Sequence, residues 1–204
     1  MVNYTKNNTP LNTKINDLDK FISNYKSAIV AYSGGIDSSL VAKIASNVLG
    51  KNNALIVIAV SPSLNRKEYE HALDLAKKND WNFRSIFTDE FSNKNYLKND
   101  FSRCFYCKFE LYEKLEEILE NEKYSVIFNG TNMDDLNDFR PGNDAAKKKN
   151  IVSPLVECKI NKNEIRQIAK QIGLPNWDKP AQPCLSSRVP HGVKISMDIL
   201  KKIE

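Results

Sequence analysis

A short apolar run, Ser27 to Tyr32, leads directly into Ser33-Gly34-Gly35-Ile36-Asp37-Ser38-Ser39. The segment that follows, Asp37 to Leu49, carries Leu40, Val41, Ile44, Ala45 and Val48 at helical spacing, and Gly50 closes it. A buried strand joined to an amphipathic helix by paired glycines is compatible with few folds. Gly34 and Gly35 permit positive φ and a close approach of the backbone to a ligand. Their N–H groups, with the helix N-terminus, predict a cradle for an anion. Ser33, Ser38 and Ser39 add hydroxyl donors. Asp37 stands where it can cap the helix or meet a phosphate-bound Mg²⁺ ion. A tight turn with a capping Asp would account for the glycines alone; the three hydroxyls and the acid together favour a phosphate ligand. The loop has no Lys, which sets it apart from a Walker A loop.

The rest of the chain repeats the alternation. Asp17 to Tyr25 reads as a leading helix, Ala54 to Val60 as a strand buried on both faces, and Arg66 to Lys78 as a helix. Asn82 to Thr88 and Tyr124 to Asn129 read as strands; Cys107 to Glu120 and Asn163 to Ile172 read as helices. This order predicts an α/β fold, Rossmann-like, with a parallel twisted sheet and helices on both faces. Ligands of such sheets sit beyond the carboxyl ends of the strands. Ser61-Pro62-Ser63, Gly130-Thr131-Asn132 and the Pro-rich loop 175–192 fall there, with the glycine loop.

Composition narrows the function classes. The chain has 204 residues and a formal charge of +5, a mild excess that suits a polyanion such as ATP and does not call for nucleic acid. Lys147-Lys148-Lys149 is the one basic run and reads as a solvated loop. No apolar run approaches the roughly 18 residues of a membrane span. Met1 to Asn12 is polar and lacks a signal-peptide core, so the expectation is a cytoplasmic protein. Without a secretion signal, Cys104, Cys107, Cys158 and Cys184 favour metal binding or catalysis over disulfides.

Cys104-Phe105-Tyr106-Cys107 is ambiguous alone: structural zinc, a redox pair, cluster ligands and coincidence all fit it. Zinc lacks a fourth ligand, since neither His71 nor His191 has the spacing. Cys184, in Pro183-Cys184-Leu185-Ser186-Ser187-Arg188, lies in the Pro-rich loop beside Arg188, a cation able to favour its thiolate. Three thiolates with one open position suit a [4Fe–4S] cluster whose fourth iron takes an exogenous ligand; simple thiol chemistry at Cys184 is the alternative. Cys158 reads as a small, half-buried residue.

The glycine loop resembles that of the PP-loop ATP pyrophosphatases, adenine nucleotide α-hydrolase-like proteins that split ATP into AMP and pyrophosphate. Further strings narrow the likeness: Arg103-Cys104-Phe105-Tyr106-Cys107-Lys108, Gly130-Thr131-Asn132-Met133-Asp134-Asp135, Asp138-Phe139-Arg140-Pro141-Gly142, Ser153-Pro154-Leu155, Trp177-Asp178-Lys179-Pro180-Ala181 and Cys184-Leu185-Ser186-Ser187-Arg188. Together they resemble the LarE family, ATP-dependent sulfur transferases of nickel-pincer cofactor biosynthesis that serve lactate racemase maturation.

The resemblance implies an ATP site at Ala31, Ser33, Gly34, Gly35, Asp37, Ser38, Ser39, Ser61, Gly130, Thr131 and Asn132, with Asp37 on Mg²⁺. It implies adenylation of pyridinium-3,5-biscarboxylic acid mononucleotide, bound by Arg140, Ser187 and Arg188, and sulfur delivered at Cys184. One branch sacrifices that cysteine's sulfur; the other holds a [4Fe–4S] cluster on three cysteines, which Cys104, Cys107 and Cys184 match. A sulfide or sulfur donor and a homo-oligomer are implied as partners. Residues 1–175 would form the PP-loop domain, and residues 176–204 the cysteine loop and the start of a truncated C-terminal portion, with a helix at Ser196 to Lys202. Two other readings are a tRNA thiolase of the same superfamily, which predicts a basic face, and a nucleotide-binding module without turnover.

Overall fold

The computed structural model describes residues 10–138 and 140–204. Residues 1–9, most of the polar N-terminal stretch, and Phe139 lie outside the described residues. In chain order the elements are α1 (Pro10–Ser23), β1 (Ala28–Tyr32), α2 (Ile36–Leu49), β2 (Ala54–Val60), α3 (Arg66–Lys78), β3 (Asn82–Phe87), α4 (Lys94–Leu97), α5 (Arg103–Glu122), β4 (Ile127–Phe128), α6 (Pro141–Lys148), α7 (Pro154–Glu157), α8 (Lys162–Gln171) and α9 (Met197–Ile203). Short 3₁₀ turns separate several of them.

The four strands are parallel, in the order β3-β2-β1-β4. Alternate residues of β1 and β2 face opposite layers. Ala28, Val30, Tyr32, Ile56 and Ile58 pack with α1, α2, α3 and α8. Ile29, Leu55 and Val57 pack with α5 and α6 on the other side. Both faces of the sheet are thus covered, as the unbroken apolar run Ala54 to Val60 requires. The chain order reverses between β1 and β4, so a crevice opens at their carboxyl ends.

Three elements differ from the sequence reading by more than one residue at an end, and α4, α6 and α7 are helices that it did not contain. α1 begins at Pro10, because Ile15 extends the buried stripe of Leu18 and Ile22 by a turn. α5 begins at Arg103, ahead of Cys107, so both cysteines of the C-x-x-C lie in a helix and share one face at i,i+3. β4 is only Ile127 and Phe128, with Phe128 bridged to Val152 on its outer side. α6 was invisible to periodicity because its buried residues are two alanines, Ala145 and Ala146, although Pro141 at its start was a signal.

A third, smaller core joins the late segment to the ligand end of the sheet. Leu185, Val189, Ile195 and Leu200 pack on Tyr96 of α4, with Cys107 at the edge. Asn99, fully buried, donates from Nδ2 to the carbonyls of Val189, Pro190 and Val193 at 2.9–3.3 Å. Among the described residues no helix is long and apolar enough to cross a membrane.

Candidate active site

The glycine loop follows β1 and opens α2, at the reversal of strand order. Gly34 has φ +78°, while Gly35 is extended at φ −75° and forms the N-cap. Positive φ is therefore needed at Gly34 alone, where a Cβ would also come within 3.1 Å of Ala72 Cβ. Ser38 Oγ accepts from Ser33 N at 3.1 Å, lies 3.1 Å from Ser33 Oγ, and donates to Gly35 O. Ser39 is fully buried beneath the loop, donates to Gly35 O at 2.8 Å and accepts from Asn176 Nδ2 at 3.0 Å. Ser39 thus shapes the cradle from below, and Ser33 faces the adjoining cavity. Within α2, Ser39 N is bonded to Gly35 O, so the N–H groups of Ile36, Asp37 and Ser38 precede the first intrahelical bond. Free N–H groups at a helix start are the kind of donor that suits an anion.

Asp37 does not cap the helix. Both its oxygens accept from Lys162 Nζ, at 2.6 and 2.5 Å. The sequence reading placed Asp37 beside Mg²⁺ or at the cap and did not anticipate this cation, since 125 residues separate the pair.

Gly130 lies against this cradle. A Cβ on it would stand 2.7 Å from Ser38 N and 3.1 Å from the carbonyl carbon of Asp37. Any larger residue would fill the space in front of the helix N-terminus. Thr131 N donates to Asn129 Oδ1, and buried Asn132 accepts the N–H groups of Asp134 and Asp135, so both residues build the turn after β4. Asp134 accepts the Lys162 N–H at 2.7 Å. Arg140 is paired with Asp135 and Asp138 at 2.8 and 3.2 Å and is half-exposed. Among the described residues no three His, Cys, Asp or Glu are grouped to hold a single metal ion.

One cavity at the ends of β1, β2 and β3 is lined by Ser33, Ser61, Thr88, Cys104, Cys107, Lys108 and Cys184. The tertiary structure thus brings three of the four cysteines to one cavity, beside the glycine loop. Cys158 sits elsewhere, packed against the core near α1. Arg103, which sequence reasoning did not single out, explains the gathering. Its guanidinium is buried and donates to Asn99 Oδ1 at 2.6 Å, Ser186 O at 2.7 Å, Ser187 Oγ at 3.1 Å and Cys104 Sγ at 3.5 Å. Ser187 Oγ is in turn 3.1 Å from Cys184 Sγ. The guanidinium set on a thiol is therefore that of Arg103, whereas Arg188 is exposed.

Three buried hydroxyls pin the same loop. Ser63, Tyr96 and Ser186 form a triangle with sides of 2.5, 2.7 and 2.8 Å, and Leu185 N donates to Ser63 O. Ser63 and Ser186 each stood in a string that the sequence singled out, whereas Tyr96 carried no sequence signal. Burial pushes the Cys107 thiol up to about 12, and the Glu90 carboxylate adds to the effect. Glu90 is itself buried, with neither oxygen hydrogen-bonded. For Lys108, burial opposes the charge, but Tyr112 and the thiols of Cys107, Cys184 and Cys104 outweigh it and raise its pKa above the lysine norm. The cavity therefore keeps a cation beside its sulfur atoms. That cation favours an anion brought into the cavity, a sulfide or a phosphate, while burial holds Cys107 as the thiol.

This geometry has relatives. A family model described as NAD synthase matches residues 13–99. The chain is 45% identical over 193 residues to an uncharacterized protein of Synechocystis sp., covering 95% of this chain and 72% of that one. It is 33% identical over 193 residues to the pyridinium-3,5-bisthiocarboxylic acid mononucleotide synthase of Lactiplantibacillus plantarum, covering 95% and 70% respectively. The chain belongs to the LarE family. LarE proteins fall within the PP-loop superfamily of ATP-dependent enzymes, and this chain is such an enzyme. The LarE fold here is also that of NMN synthetase from Francisella tularensis, with a TM-score of 0.68 at 14% identity over 86% of this chain and 76% of that one. At that identity the likeness is one of fold.

Proposed function

We propose that this chain adenylates a carboxylate of pyridinium-3,5-biscarboxylic acid mononucleotide and replaces the activated oxygen with sulfur. One observation carries the reading: Ser33 of the phosphate loop and the thiols of Cys104, Cys107 and Cys184 line the same cavity. A loop that holds pyrophosphate thereby faces the atoms that can supply sulfur.

The chemistry has two substitutions. A carboxylate oxygen attacks the α-phosphorus of ATP; the bond to the β-phosphate oxygen breaks, and pyrophosphate leaves with the electron pair. The N–H groups at the start of α2 hold its charge. A sulfur nucleophile then attacks the acyl carbon, and AMP leaves with the electrons of the C–O bond. Oxide is a poor leaving group and AMP a good one, so ATP turns one hard substitution into two easier ones. Lys108 and Arg103 hold negative charge at the sulfur side of the cavity, and the Arg103 clamp fixes Cys184 relative to α5.

The thiol set suits a [4Fe–4S] cluster: three cysteines line one cavity, two of them a helical turn apart and the third brought in by a buried guanidinium. Bound there, a cluster would supply an iron able to carry an exogenous sulfide and so spare Cys184.

The test is anaerobic purification and reconstitution, followed by visible and EPR spectroscopy with iron and sulfide assay. Three-cysteine coordination predicts a brown protein that loses its cluster in Cys104→Ser, Cys107→Ser and Cys184→Ser, but not in Cys158→Ser. A colourless, iron-free wild type would sink the cluster. Assay of AMP, pyrophosphate and thiolated product with the pyridinium substrate tests the reaction separately; ATP binding with no turnover would sink it.

A further inference from the structure

We infer that Asn176 is a positioning residue of the glycine loop: it turns the peptide between Gly34 and Gly35 so that the Gly35 N–H faces the cavity. The inference rests on the reading above, which takes this loop to hold the β- and γ-phosphates. The peptide after Gly35 is fixed by the helix, since Gly35 O accepts from Ser39 N at 3.0 Å and from Ser39 Oγ at 2.8 Å. The peptide joining Gly34 to Gly35 has no such anchor in α2. It stands between two residues without a Cβ, so it can turn over at little steric cost. Turned over, it would present a carbonyl to the phosphates in place of an N–H.

Asn176 opposes that rotation. Its Nδ2 donates to Gly34 O at 3.4 Å and to Ser39 Oγ at 3.0 Å. In a trans peptide the C=O and N–H point in opposite directions. A carbonyl held on the Asn176 side therefore sends the Gly35 N–H the other way. That way lies Ser33 Oγ, 3.4 Å from Gly35 N, and Ser33 lines the cavity. A contact of that length is weak, so the N–H is available to a phosphate oxygen. Gly34 O can only accept, so the NH₂ of Asn176 must face it. The Oδ1 atom of Asn176 is then left buried without a partner. An unsatisfied buried acceptor is a cost to folding that an apolar side chain of similar size would avoid, so stability does not account for the amide.

The prop is rigid and comes from outside the glycine loop. Arg166 of α8 donates to Trp177 O at 2.8 Å and to Lys179 O at 3.0 Å, and Lys179 Nζ donates to Glu68 of α3 at 2.6 Å. Lys170 Nζ lies 4.4 Å from the centre of the Trp177 ring. Residues 176–179 are thus clamped between two helices, and Asn176 does not follow Gly34 if that peptide turns. The same Pro-rich loop runs on to Cys184. One loop therefore aims a donor of the phosphate site near its start and brings a thiol to the cavity further along.

Equilibrium binding of α,β-methylene-ATP with Mg²⁺, and of AMP, to wild type, Asn176→Leu and Asn176→Asp tests this. Both substitutions keep close to the size of Asn and remove the donor. Leu adds no charge, so a loss that it shares with Asp is not repulsion. The expected result is about a tenfold or greater loss of α,β-methylene-ATP affinity in both variants. AMP lacks the β- and γ-phosphates; its binding stays within about twofold and shows that the fold is intact. In wild type the Gly35 amide proton resonance moves downfield when α,β-methylene-ATP binds, the mark of a new hydrogen bond to an anion, and in Asn176→Leu it does not. Unchanged α,β-methylene-ATP affinity in Asn176→Leu, an equal loss for AMP, or a Gly35 amide that responds alike in both proteins overturns the inference while leaving ATP use intact. A wild type that binds α,β-methylene-ATP no better than AMP overturns the reading of the loop as well.

Discussion

Arg103 Nη1 donates to the carbonyl oxygen of Ser186 at 2.7 Å, across 83 residues of sequence. This bond and its companions to Asn99, Ser187 and Cys104 carry the late loop onto the start of α5. Arg103→Met leaves several of those acceptors buried without a donor. Its expected cost is about 2–4 kcal/mol of stability. Product thiolation should fall at least tenfold, while α,β-methylene-ATP binding stays within about twofold. Calorimetric titration beside a product assay separates the two, and equal loss of both would contradict the clamp.

Gly130 predicts a steric effect at the nucleotide. In Gly130→Ala the new methyl meets Ser38 N at 2.7 Å, so the helix terminus or the turn after β4 must shift. Overpacking of this kind costs about 1–3 kcal/mol. The far-UV spectrum should remain native, and Mg²⁺·ATP affinity should drop by about tenfold or more. Native affinity in the variant would show that the space in front of Ser38 is not part of the phosphate site.

Cys107 predicts a pH dependence. Its pKa is raised from the ordinary thiol value of 9.0 to about 12, so the folded chain holds this proton more tightly than the unfolded chain. The resulting stability is whole below pH 9.0 and is lost as pH rises towards about 12. Denaturation midpoints between pH 8 and 10 should fall in the cluster-free wild type and fall less in Cys107→Ala. In the same protein at pH 8, iodoacetamide should modify the exposed Cys104 and Cys184 well before Cys107, read by peptide mass mapping. Glu90→Gln removes the largest charge acting on that thiol and should quicken its labelling.

Tyr96 predicts a packing effect. Tyr96→Phe takes one corner from the hydroxyl triangle with Ser63 and Ser186. Urea denaturation should report a loss of about 1–2 kcal/mol. Alkylation of Cys184 should accelerate as the loop loosens; an unaltered rate would show that the triangle does not restrain it.

The strands, the helix order and the glycine loop were legible because each is written locally. Ala54 to Val60 and Arg66 to Lys78 coincide with β2 and α3, since period and caps sit within a few residues of one another. The start of α5 was missed because Arg103 to Tyr106 offers a short mixed stretch, and β4 was read too long because an apolar run does not say how many residues find a partner.

By itself the sequence determined the parallel α/β sheet, the glycine turn between β1 and α2 and the presence of a C-x-x-C with a later cysteine. These follow from short-range periodicity, from glycine's conformational freedom and from the chemistry of side-chain types. Only the tertiary structure decided which groups meet. It placed Lys162 on Asp37, Gly130 against Ser38, and Arg103 between two loops; it gathered three cysteines and left Cys158 apart. The physical reason is that an ion pair or a steric contact depends on distance in space. Residues 83 or 125 positions apart come within reach only when buried apolar layers on both faces of the sheet fix where each loop ends.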